Sequence, residues 1–450
     1  MPIFSRYILR KYYIAILKYF NSENIGEAYM NFNLKEENSF KNIFEIGDSI
    51  AIWGGGKQGK NAYYTLKRKY DIICFLDSDV RKENLEIVDG KKVLFVCLDS
   101  FFIVIACEQW MDVSKKLLKE GLHLLDNFLP YNMLQMKNIR LDVLLDCFDA
   151  ISVKKYLKKI KIKKKIALIY GNCQTEILAN MIEHNKEFSE KYVLLRVPQI
   201  HLYRDEKQVE EIFYKNNIME MLDLFIYQKV KINNRYFEKL GTNSILEKIR
   251  TDCKKLIIHN IFFDGYFIQC KGSDDRYIEN MNQKNFPYFD VIVDSLITEG
   301  KNVKDILNLL FRIDLFDDNT IQKRCKRSIH ILKQKEESVD IPIVDYIENN
   351  YQKRQLFYTH NHPKNIVIYE YVKRILKALT IEKIDEFTEE ELYLEFGSLR
   401  INNFPILPCV IKALGLENYE LKMRISDVTP KLLSIEDYMK EYIYRCYGRK

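Results

Sequence analysis

The sequence lacks the patterns that mark membrane-spanning and disulfide-linked proteins. It contains no uncharged apolar run of about 18 residues, so no transmembrane helix is predicted. Its 10 cysteines include no Cys-x-x-Cys pair, which excludes a zinc ribbon and argues against a disulfide framework. We therefore expect reduced thiols and a cytoplasmic protein.

Strong charge of one sign is also missing. The 70 basic and 63 acidic side chains leave a net charge of +7, and no zinc motif or basic face with interleaved aromatic residues is present. No nucleic-acid partner is predicted. Much of the excess lies in residues 154–165 (KKYLKKIKIKKK), which hold eight lysines in twelve positions.

What the chain has is enough apolar surface for real cores. The apolar fraction is 47% over 450 residues, so two or three domains are expected. Arg10, Lys11 and Lys18 interrupt the apolar N-terminus, and no small-residue cleavage site follows. This region is therefore predicted to be a basic amphipathic helix, which either packs on its own domain or contacts a membrane surface or a partner.

Strand and helix patterns alternate along most of the chain, which predicts an α/β protein with parallel sheets and a mainly helical C-terminal part. The lysine-rich run is the best candidate for a boundary. The predicted divisions are an N-terminal helical segment (1–46), a Rossmann-like nucleotide or nucleotide-sugar domain (47–150), a Lys-rich linker (151–165), a catalytic α/β domain (166–380) and a helical C-terminal extension (381–450).

A glycine-rich turn joins the first predicted strand to a helix. Gly54, Gly56 and Gly59 follow the Gly-x-Gly-x-x-Gly spacing, and Asp77 closes the next strand. Such a turn lets the backbone and the helix N-terminus approach a phosphate group. Asp77 is interpreted either as a ligand of a ribose hydroxyl or as an ordinary turn residue at a strand end.

This stretch, over about residues 47–130, resembles the small Rossmann-like domain at the front of bacterial sugar acyltransferases. The resemblance implies a domain that binds a nucleotide sugar without hydride chemistry. Tyr-x-x-x-Lys pairs of the kind that sugar reductases use do occur, but only at unsuitable places, so a redox enzyme is disfavoured. The pairs begin at Tyr63, Tyr203 and Tyr369.

A second strand-to-helix turn carries a cysteine. In "KKKIALIYGNCQTEILANMIEHN", Cys173 lies between Asn172 and Gln174 where an apolar run ends and a helical pattern begins. A helix N-terminus lowers the pKa of a thiol, and the neighbouring amides can donate hydrogen bonds to a developing oxyanion. The alternative is that Cys173 is a small buried apolar side chain.

A reactive cysteine needs a base, and the chain has 7 histidines. The most pointed group is "LFYTHNHPKN", where Pro363 keeps His362 out of a helix. His360, Asn361 and His362 are thereby predicted to lie in a loop before a helix, either as a functional group or as polar residues that cap that helix. A metal site is not predicted, because further ligands are missing.

These segments together resemble the WcbI family of capsular polysaccharide biosynthesis proteins. The resemblance runs from about Lys165 to Leu379 and rests on "GNCQ", "LDLFIYQ", "IIHNIFFDGY" and "NHP" in this order. It implies an acetyltransferase that binds coenzyme A, with Cys173 and His362 or His360 as catalytic residues. Asn172, Gln174, Asn361 and Gln228 are the expected oxyanion or substrate support. The chain departs from the family where "HN" (residues 259–260) replaces an expected "PN".

The expected reaction is transfer of an acetyl group from acetyl-CoA to a hydroxyl of a sugar or nucleotide sugar for a surface polysaccharide. Cys173 either carries the acetyl group as a thioester or only helps to position it. The lysines of 154–165 either neutralise the phosphates of coenzyme A or form a solvated linker. The alternatives are an SGNH-like carbohydrate esterase and a non-catalytic scaffold, and contact with a membrane or with polysaccharide-assembly enzymes stays open.

Overall fold

The protein is described from a computed structural model. It describes residues 49–94, 101–231, 237–272, 288–397, 403–423 and 432–448, together with residues 44, 46, 98 and 399. The helix predicted within 1–46 lies outside the described residues, apart from residues 44 and 46.

Among the described residues, four strands form the first parallel sheet, in the order β2-β1-β5-β6. A small antiparallel hairpin, β3–β4, lies between them in the chain. The strands are β1 (Ser49–Trp53), β2 (Asp71–Leu76), β3 (Glu86–Val88), β4 (Lys91–Lys92), β5 (Phe102–Ile105) and β6 (Phe128–Pro130). The strand predicted from "KKVLFV" begins as β4, whose two residues pair with β3. The next residue, Val93, forms a parallel bridge to Phe75 in β2.

The second parallel sheet has five strands in the described part of the chain, in the order β11-β10-β8-β9-β7. They are β7 (Ile139–Arg140), β8 (Lys165–Tyr170), β9 (Tyr192–Arg196), β10 (Leu224–Gln228) and β11 (Lys254–Ile258). The central strand β8 lies between β9 and β10. The connection that follows β8 leads to β9 on one side, and the connection that follows β9 leads to β10 on the other side. The carboxyl ends of β8 and β10 therefore border a topological switch point, where ligands bind in open α/β sheets.

Three short antiparallel pairs follow, and the second of them is important for the site. They are β12 (Cys270–Gly272) with β13 (Tyr288–Asp290), β14 (Phe357–Thr359) with β15 (His362–Pro363), and β16 (Lys422–Met423) with β17 (Leu433–Ser434). His360 and Asn361 are the two residues of the tight turn between β14 and β15.

Helices cover the faces of both sheets and make up most of the chain after residue 290. They are α1 (Lys57–Leu66), α2 (Trp110–Lys119), α3 (Tyr131–Leu134), α4 (Leu141–Cys147), α5 (Ala150–Lys161), α6 (Gln174–His184), α7 (Lys186–Lys191), α8 (Glu206–Phe213), α9 (Thr242–Leu246), α10 (Val291–Thr298), α11 (Val303–Leu310), α12 (Asp318–Glu336), α13 (Val344–Asn350), α14 (Asn365–Ala378), α15 (Glu389–Phe396), α16 (Pro408–Leu414) and α17 (Ile435–Tyr447). The predicted α/β class, with parallel sheets and a mainly helical C-terminal part, is confirmed.

The two sheets share a hydrophobic core. Successive side chains of a strand point to opposite faces, and β8 follows this rule. Ile166, Leu168 and Tyr170 join a cluster that includes the first sheet. Ala167 and Ile169 join a second cluster with the helices of the C-terminal part, including α17. The proposed domain boundaries therefore do not separate independent cores, and the division into domains stays a prediction.

The lysine-rich segment is helical and packed, which corrects the expectation of a solvated linker for 151–165. Most of it is helix α5, whose residues Val153, Tyr156, Leu157 and Ile160 are fully buried. Their i, i+3, i+4, i+7 spacing forms one apolar stripe that packs in the core. The lysines cover the remaining face of the helix.

Candidate active site

Cys173 lies at the switch point of the second sheet, directly after β8 and before α6. The backbone N–H of Asn172 donates to the Gln228 side-chain oxygen at 2.9 Å. The turn therefore lies beside the end of β10. A Cβ atom on Gly171 would overlap that same oxygen. The side-chain oxygen of Asn172 accepts a hydrogen bond at 3.0 Å from the N–H of Gln174, the first residue of helix α6.

The Gln174 side chain joins this turn to two distant segments. It is 3% exposed, and its oxygen accepts from the Ile261 N–H at 3.1 Å. Its Nε2 lies 2.9 Å from the Asn260 side-chain oxygen, 2.8 Å from the Ile261 carbonyl and 2.9 Å from the Asn361 carbonyl. Gln174 thus holds the site together, and its amide is not directed at a substrate.

The β14–β15 turn contacts the residue that follows Cys173. The contact of Gln174 with Asn361 joins residues 187 positions apart, and each partner is the chain neighbour of a predicted catalytic residue. Cys173 precedes Gln174, and His362 follows Asn361. The predicted loop before a helix is therefore a hairpin turn that docks on the Cys173 turn.

Tyr288 contacts both histidines, and no pattern in the sequence singled it out. Its ring meets the His360 ring edge-on at 5.0 Å and the His362 ring at 5.8 Å between centroids. Its hydroxyl donates to the Asn361 side-chain oxygen at 2.6 Å. Burial raises its pKa, and the Cys173 and Cys270 thiols are close enough to raise it further.

Comparison with protein-family models matches residues 166–383, just under half of the chain, to the family described as polysaccharide biosynthesis enzyme WcbI. This part of the chain is therefore similar to the WcbI family. No match was found among curated proteins.

A solved WcbI structure shares the fold of this chain. It is described as a novel polysaccharide biosynthesis enzyme, in its native form without a disulfide bond between coenzyme A and one of its cysteines. The TM-score is 0.50 at 19% identity, over 64% of this chain and 91% of that chain.

The two histidines of the β14–β15 hairpin differ in their partners. His360 Nδ1 lies 3.3 Å from the Cys270 sulfur, so this imidazole is paired with a cysteine that the sequence did not single out. His362 is 8% exposed, and its Nδ1 is buried without a hydrogen-bond partner among the described residues. Burial lowers the pKa of His362 to about 4, with smaller effects from His360 and His201. His362 is therefore a neutral imidazole at pH 7.

The Cys173 thiol is not activated in this structure, which corrects the expectation from the helix dipole. Burial raises its pKa to about 11, although backbone N–H groups at Cys173 and Gln174 act in the opposite direction. Desolvation of a thiolate outweighs the helix N-terminus here. The cysteine is a protonated thiol until a base or a bound ligand changes its surroundings.

The glycine turn of the first sheet lies at that sheet's own switch point. Gly54 has φ 126°, and a Cβ atom on it would lie 2.6 Å from the Ala106 carbonyl oxygen at the end of β5. A Cβ on Gly59 would overlap the Gly54 carbonyl, whereas nothing lies within 4 Å of a Cβ on Gly56. The protein itself thus needs glycine at Gly54 and Gly59, and the space over Gly56 is open.

Asp77 is fully occupied within the protein. Its carboxylate accepts from the Gly55 N–H at 3.2 Å and the Asp79 N–H at 3.0 Å, and it pairs with Lys82 at 2.8 Å. These contacts favour the turn-residue interpretation of Asp77 over contact with a ribose.

The last lysines of the 154–165 run lie at the end of β8 that is remote from Cys173. The run ends at the amino end of β8, whereas Cys173 follows its carboxyl end, and six strand residues span roughly 17 Å. Lys161 donates to the Met221 carbonyl at 2.7 Å, and Lys164 donates to the Ser189 carbonyl at 2.6 Å. This geometry argues against a role of the run in binding phosphates near Cys173.

Two pockets border the histidine hairpin. One, of about 230 Å³, is lined by Phe262, Asp264, Ser328, Ile331 and Lys335. The other, of about 420 Å³, is polar and includes Lys364, which follows the hairpin directly. The remaining residues that line it are Arg354, Gln355, Glu389, Glu417, Asn418, Tyr419, Glu420 and Leu421.

The described residues offer neither a candidate membrane span nor a cluster of metal ligands. No helix among them is long and apolar enough to cross a bilayer. The same residues contain no group of three or more His, Cys, Asp or Glu side chains arranged to hold a metal ion.

Proposed function

We propose that the protein transfers an acetyl group from acetyl-CoA to a sugar hydroxyl during the synthesis of a surface polysaccharide. The supporting observation is the docking of the β14–β15 turn on the Cys173 turn through Gln174. The similarity of residues 166–383 to a family of polysaccharide biosynthesis enzymes supports the substrate class. The solved WcbI, whose description names coenzyme A and a cysteine, supports the acyl donor.

His362 is the proposed general base. Its neutral imidazole has an unbonded Nδ1, so it can accept the proton of a sugar hydroxyl while the oxygen attacks the thioester carbonyl. The carbon–sulfur bond of acetyl-CoA then breaks, and the imidazolium returns the proton to the departing CoA sulfur. His360 is less suited to this role because its Nδ1 contacts Cys270.

Cys173 takes part by one of two routes. In the first, His362 removes the thiol proton while the sulfur attacks the acetyl carbonyl, the bond to the CoA sulfur breaks, and CoA leaves with that proton. The sugar hydroxyl then attacks the acetyl-Cys173 thioester, and its proton passes through His362 to the departing Cys173 sulfur. In the second, Cys173 only shapes the cleft beside the thioester. The raised pKa of the thiol means that the first route requires His362 to take the proton at the moment of attack.

The amide groups of the turn are proposed to have separate roles. Gln174 and Asn361 are proposed as positioning residues, because the Gln174 amide and both oxygens of Asn361 are bonded within the protein. The Gln228 oxygen holds the Asn172 backbone. Within the described residues the side-chain NH₂ of Asn172 makes no hydrogen bond, so Asn172 is the proposed donor to the developing oxyanion.

The polar pocket beside Lys364 is the proposed site of the acceptor sugar. Lys364 is 8% exposed and pairs with Glu389 and Glu420, each at 3.1 Å. Its ammonium lies 5.7 Å from the centre of the Tyr358 ring. Carboxylates, amides and an aromatic ring are groups that bind sugar hydroxyls and the apolar face of a pyranose ring.

The test is a transfer assay with acetyl-CoA and a panel of sugars and nucleotide sugars, in which free CoA thiol and the acetylated sugar are both measured. The proposal predicts that the two products appear in equal amounts. Mass spectrometry before sugar is added separates the routes, because only the first gives an acetylated Cys173 peptide. Acetate release from sugar esters without CoA would instead identify an esterase.

The front domain is proposed to bind a nucleotide or nucleotide sugar over Gly56. The open space above this residue and the start of helix α1 support the proposal. A thermal-shift screen with nucleotide sugars and NAD tests it, since a ligand that binds only the folded chain raises the unfolding midpoint. If every nucleotide leaves the midpoint unchanged, this part of the proposal is wrong.

A further inference from the structure

The two most exposed large apolar side chains in the described part of the chain belong to the same helix. Ile151 is 81% exposed and Ile162 is 72% exposed. Ile151 lies in the first turn of α5, and Ile162 follows its last residue in the same right-handed helical conformation. They are eleven residues apart, which is about three full turns, so both side chains point to the same side of the helix. This side is opposite the stripe that packs in the core.

Lysines fill the outer side of α5 between the two isoleucines. Lys155 and Lys158 lie four and seven residues after Ile151, on the same line along the helix. Two further lysines flank that line. The 12 residues of α5 include no aspartate or glutamate. The outer side is therefore a basic stripe with an isoleucine at each end, and we call it the α5 face: Ile151, Lys154, Lys155, Lys158, Lys159 and Ile162.

Little of the charge of the α5 face is used within the protein. Lys154 and Lys158 form no ion pair with any residue that the structure describes. Lys155 pairs with Asp126 at 2.8 Å, but both side chains are about half exposed, and an ion pair at the surface contributes little to stability. Asp149 caps the helix, because its two oxygens accept from the backbone N–H and the hydroxyl of one serine. The lysines of the face are therefore available to an anionic partner.

The basic N-terminal segment of the chain joins the described residues at this helix. The Phe44 ring stacks on the Tyr156 ring of α5, with centroids 5.6 Å apart and planes 6° from parallel. The segment before Phe44 begins with 20 residues that hold four basic side chains and no acidic one. The connection from that basic segment therefore ends at α5.

We propose that the α5 face binds the surface of a bilayer that contains anionic lipids. The lysines pair with lipid phosphates, while their apolar stems and the two isoleucines enter the headgroup region. A bilayer receives both isoleucines, although about 16 Å separate them along the helix, because its interface is continuous. A second copy of the chain does not fit the face, since it would oppose lysine to lysine. This inference goes beyond the proposed function and does not depend on acetyl transfer.

Cosedimentation of the full chain with lipid vesicles tests the inference. Wild type should bind vesicles that contain phosphatidylglycerol and should not bind vesicles of phosphatidylcholine alone. The double variant Lys154→Gln/Lys158→Gln should lower the partition coefficient by about 30-fold, because each lysine near an anionic bilayer strengthens binding about fivefold. Ile151→Gln/Ile162→Gln should lower it by about 10-fold or more, because two apolar side chains no longer enter the interface.

Lys323→Gln/Lys326→Gln is the matched control. It removes the same charge from exposed positions of α12 and should leave partitioning unchanged. Circular dichroism and the unfolding midpoint show whether each variant is folded. Footprinting of the wild-type lysines with an amine-reactive ester needs no variant, and vesicles should protect Lys154 and Lys158 but neither lysine of the control.

The inference requires weaker binding in both α5 variants. It is overturned if wild type does not bind anionic vesicles, if the control loses as much, or if only one of the α5 variants is affected. A loss in the lysine variant alone would indicate a soluble polyanion or an acidic protein as the partner. A loss in Arg10→Gln/Lys11→Gln without any in the α5 variants would place the membrane contact in the N-terminal segment and refute the role of α5.

Discussion

Each parallel sheet has a strand at which the direction of the crossovers reverses, β1 in the first sheet and β8 in the second. In both sheets a turn that contains glycine follows this strand. In the first sheet, the Gly54 turn is held by neighbouring backbone and by Asp77, which is 22 residues from its Gly55 partner. In the second, the Gly171 turn is held by Gln174, which contacts residues 86 and 187 positions away. The same topology thus leaves one turn open to solvent and builds distant side chains around the other.

The difference indicates separate uses. An open glycine turn at a helix N-terminus offers backbone N–H groups to a ligand, whereas a turn enclosed by imidazoles, a thiol and a tyrosine offers side chains that react. This difference is the basis for proposing the chemistry at the second sheet and a binding role at the first.

The largest effect is expected at the enclosed turn. His362→Gln removes the proposed base while keeping a polar side chain of similar length, so the rate of acetyl transfer should fall by about 100- to 10,000-fold. His123→Gln is the control, because His123 is exposed and lies between α2 and β6, next to the first sheet. Steady-state rates of CoA release measure both. A His362→Gln variant with more than half the wild-type rate would remove the chemical distinction between the two turns.

A pair of glycine variants tests the two turns directly. Gly171→Ala places a Cβ against the Gln228 oxygen and should lower the free energy of unfolding by about 1–3 kcal/mol. Gly56→Ala meets nothing within 4 Å and should leave it unchanged. Urea unfolding gives both values. Equal losses would show that the first turn is as closely packed as the second, and a nucleotide that binds wild type but not Gly56→Ala would locate the ligand.

The buried carboxyl group of Asp290, close in the chain to Tyr288 of the candidate active site, should make the free energy of unfolding depend on pH. Asp290 begins α10 by accepting from Ile292 and Val293, but its second oxygen has no hydrogen-bond partner among the described residues. Burial raises its pKa from 3.8 to about 7. A raised pKa means that the folded state holds the Asp290 proton more tightly than the unfolded state does. The contribution of Asp290 to the free energy of unfolding is therefore fully present at low pH and is lost as the pH rises through about 7.

Asp290→Asn keeps the cap and removes the titration. It should be more stable than wild type at pH 8 by about 1–2 kcal/mol and similar to it near pH 4. Denaturant midpoints across this pH range measure the difference. Asp77→Asn is the comparison from the first sheet, because its contacts lower the pKa of Asp77 and the same change should destabilise at neutral pH. If the stability of both variants changes with pH in the same way, the pKa values of Asp290 and Asp77 are not shifted in opposite directions.

Features that depend on nearby residues were predictable from the sequence. The apolar β-branched runs gave β1, β8 and β10, and the spacing of glycines located the first turn. The apolar stripe of helix α5 was also visible in the sequence, at Val153, Tyr156, Leu157 and Ile160. The many lysines around it led to the prediction of a linker in place of a packed helix.

Features that depend on distant contacts were not predictable in this way. Tyr288 and Cys270 belong to strands of three residues, and nothing in their neighbourhood marks them as parts of a site. The pKa of Cys173 was predicted in the wrong direction, because a sequence shows the helix that begins at the thiol but not the burial that raises the pKa.

A crystal structure with bound CoA would test most simply whether one cleft joins the thiol and the imidazole. We expect the CoA sulfur to lie between Cys173 and His362, with both side chains within hydrogen-bond reach of it or of one bridging water. A CoA sulfur elsewhere, or a separation of more than about 10 Å between the Cys173 sulfur and the His362 ring, would contradict the proposed transferase site.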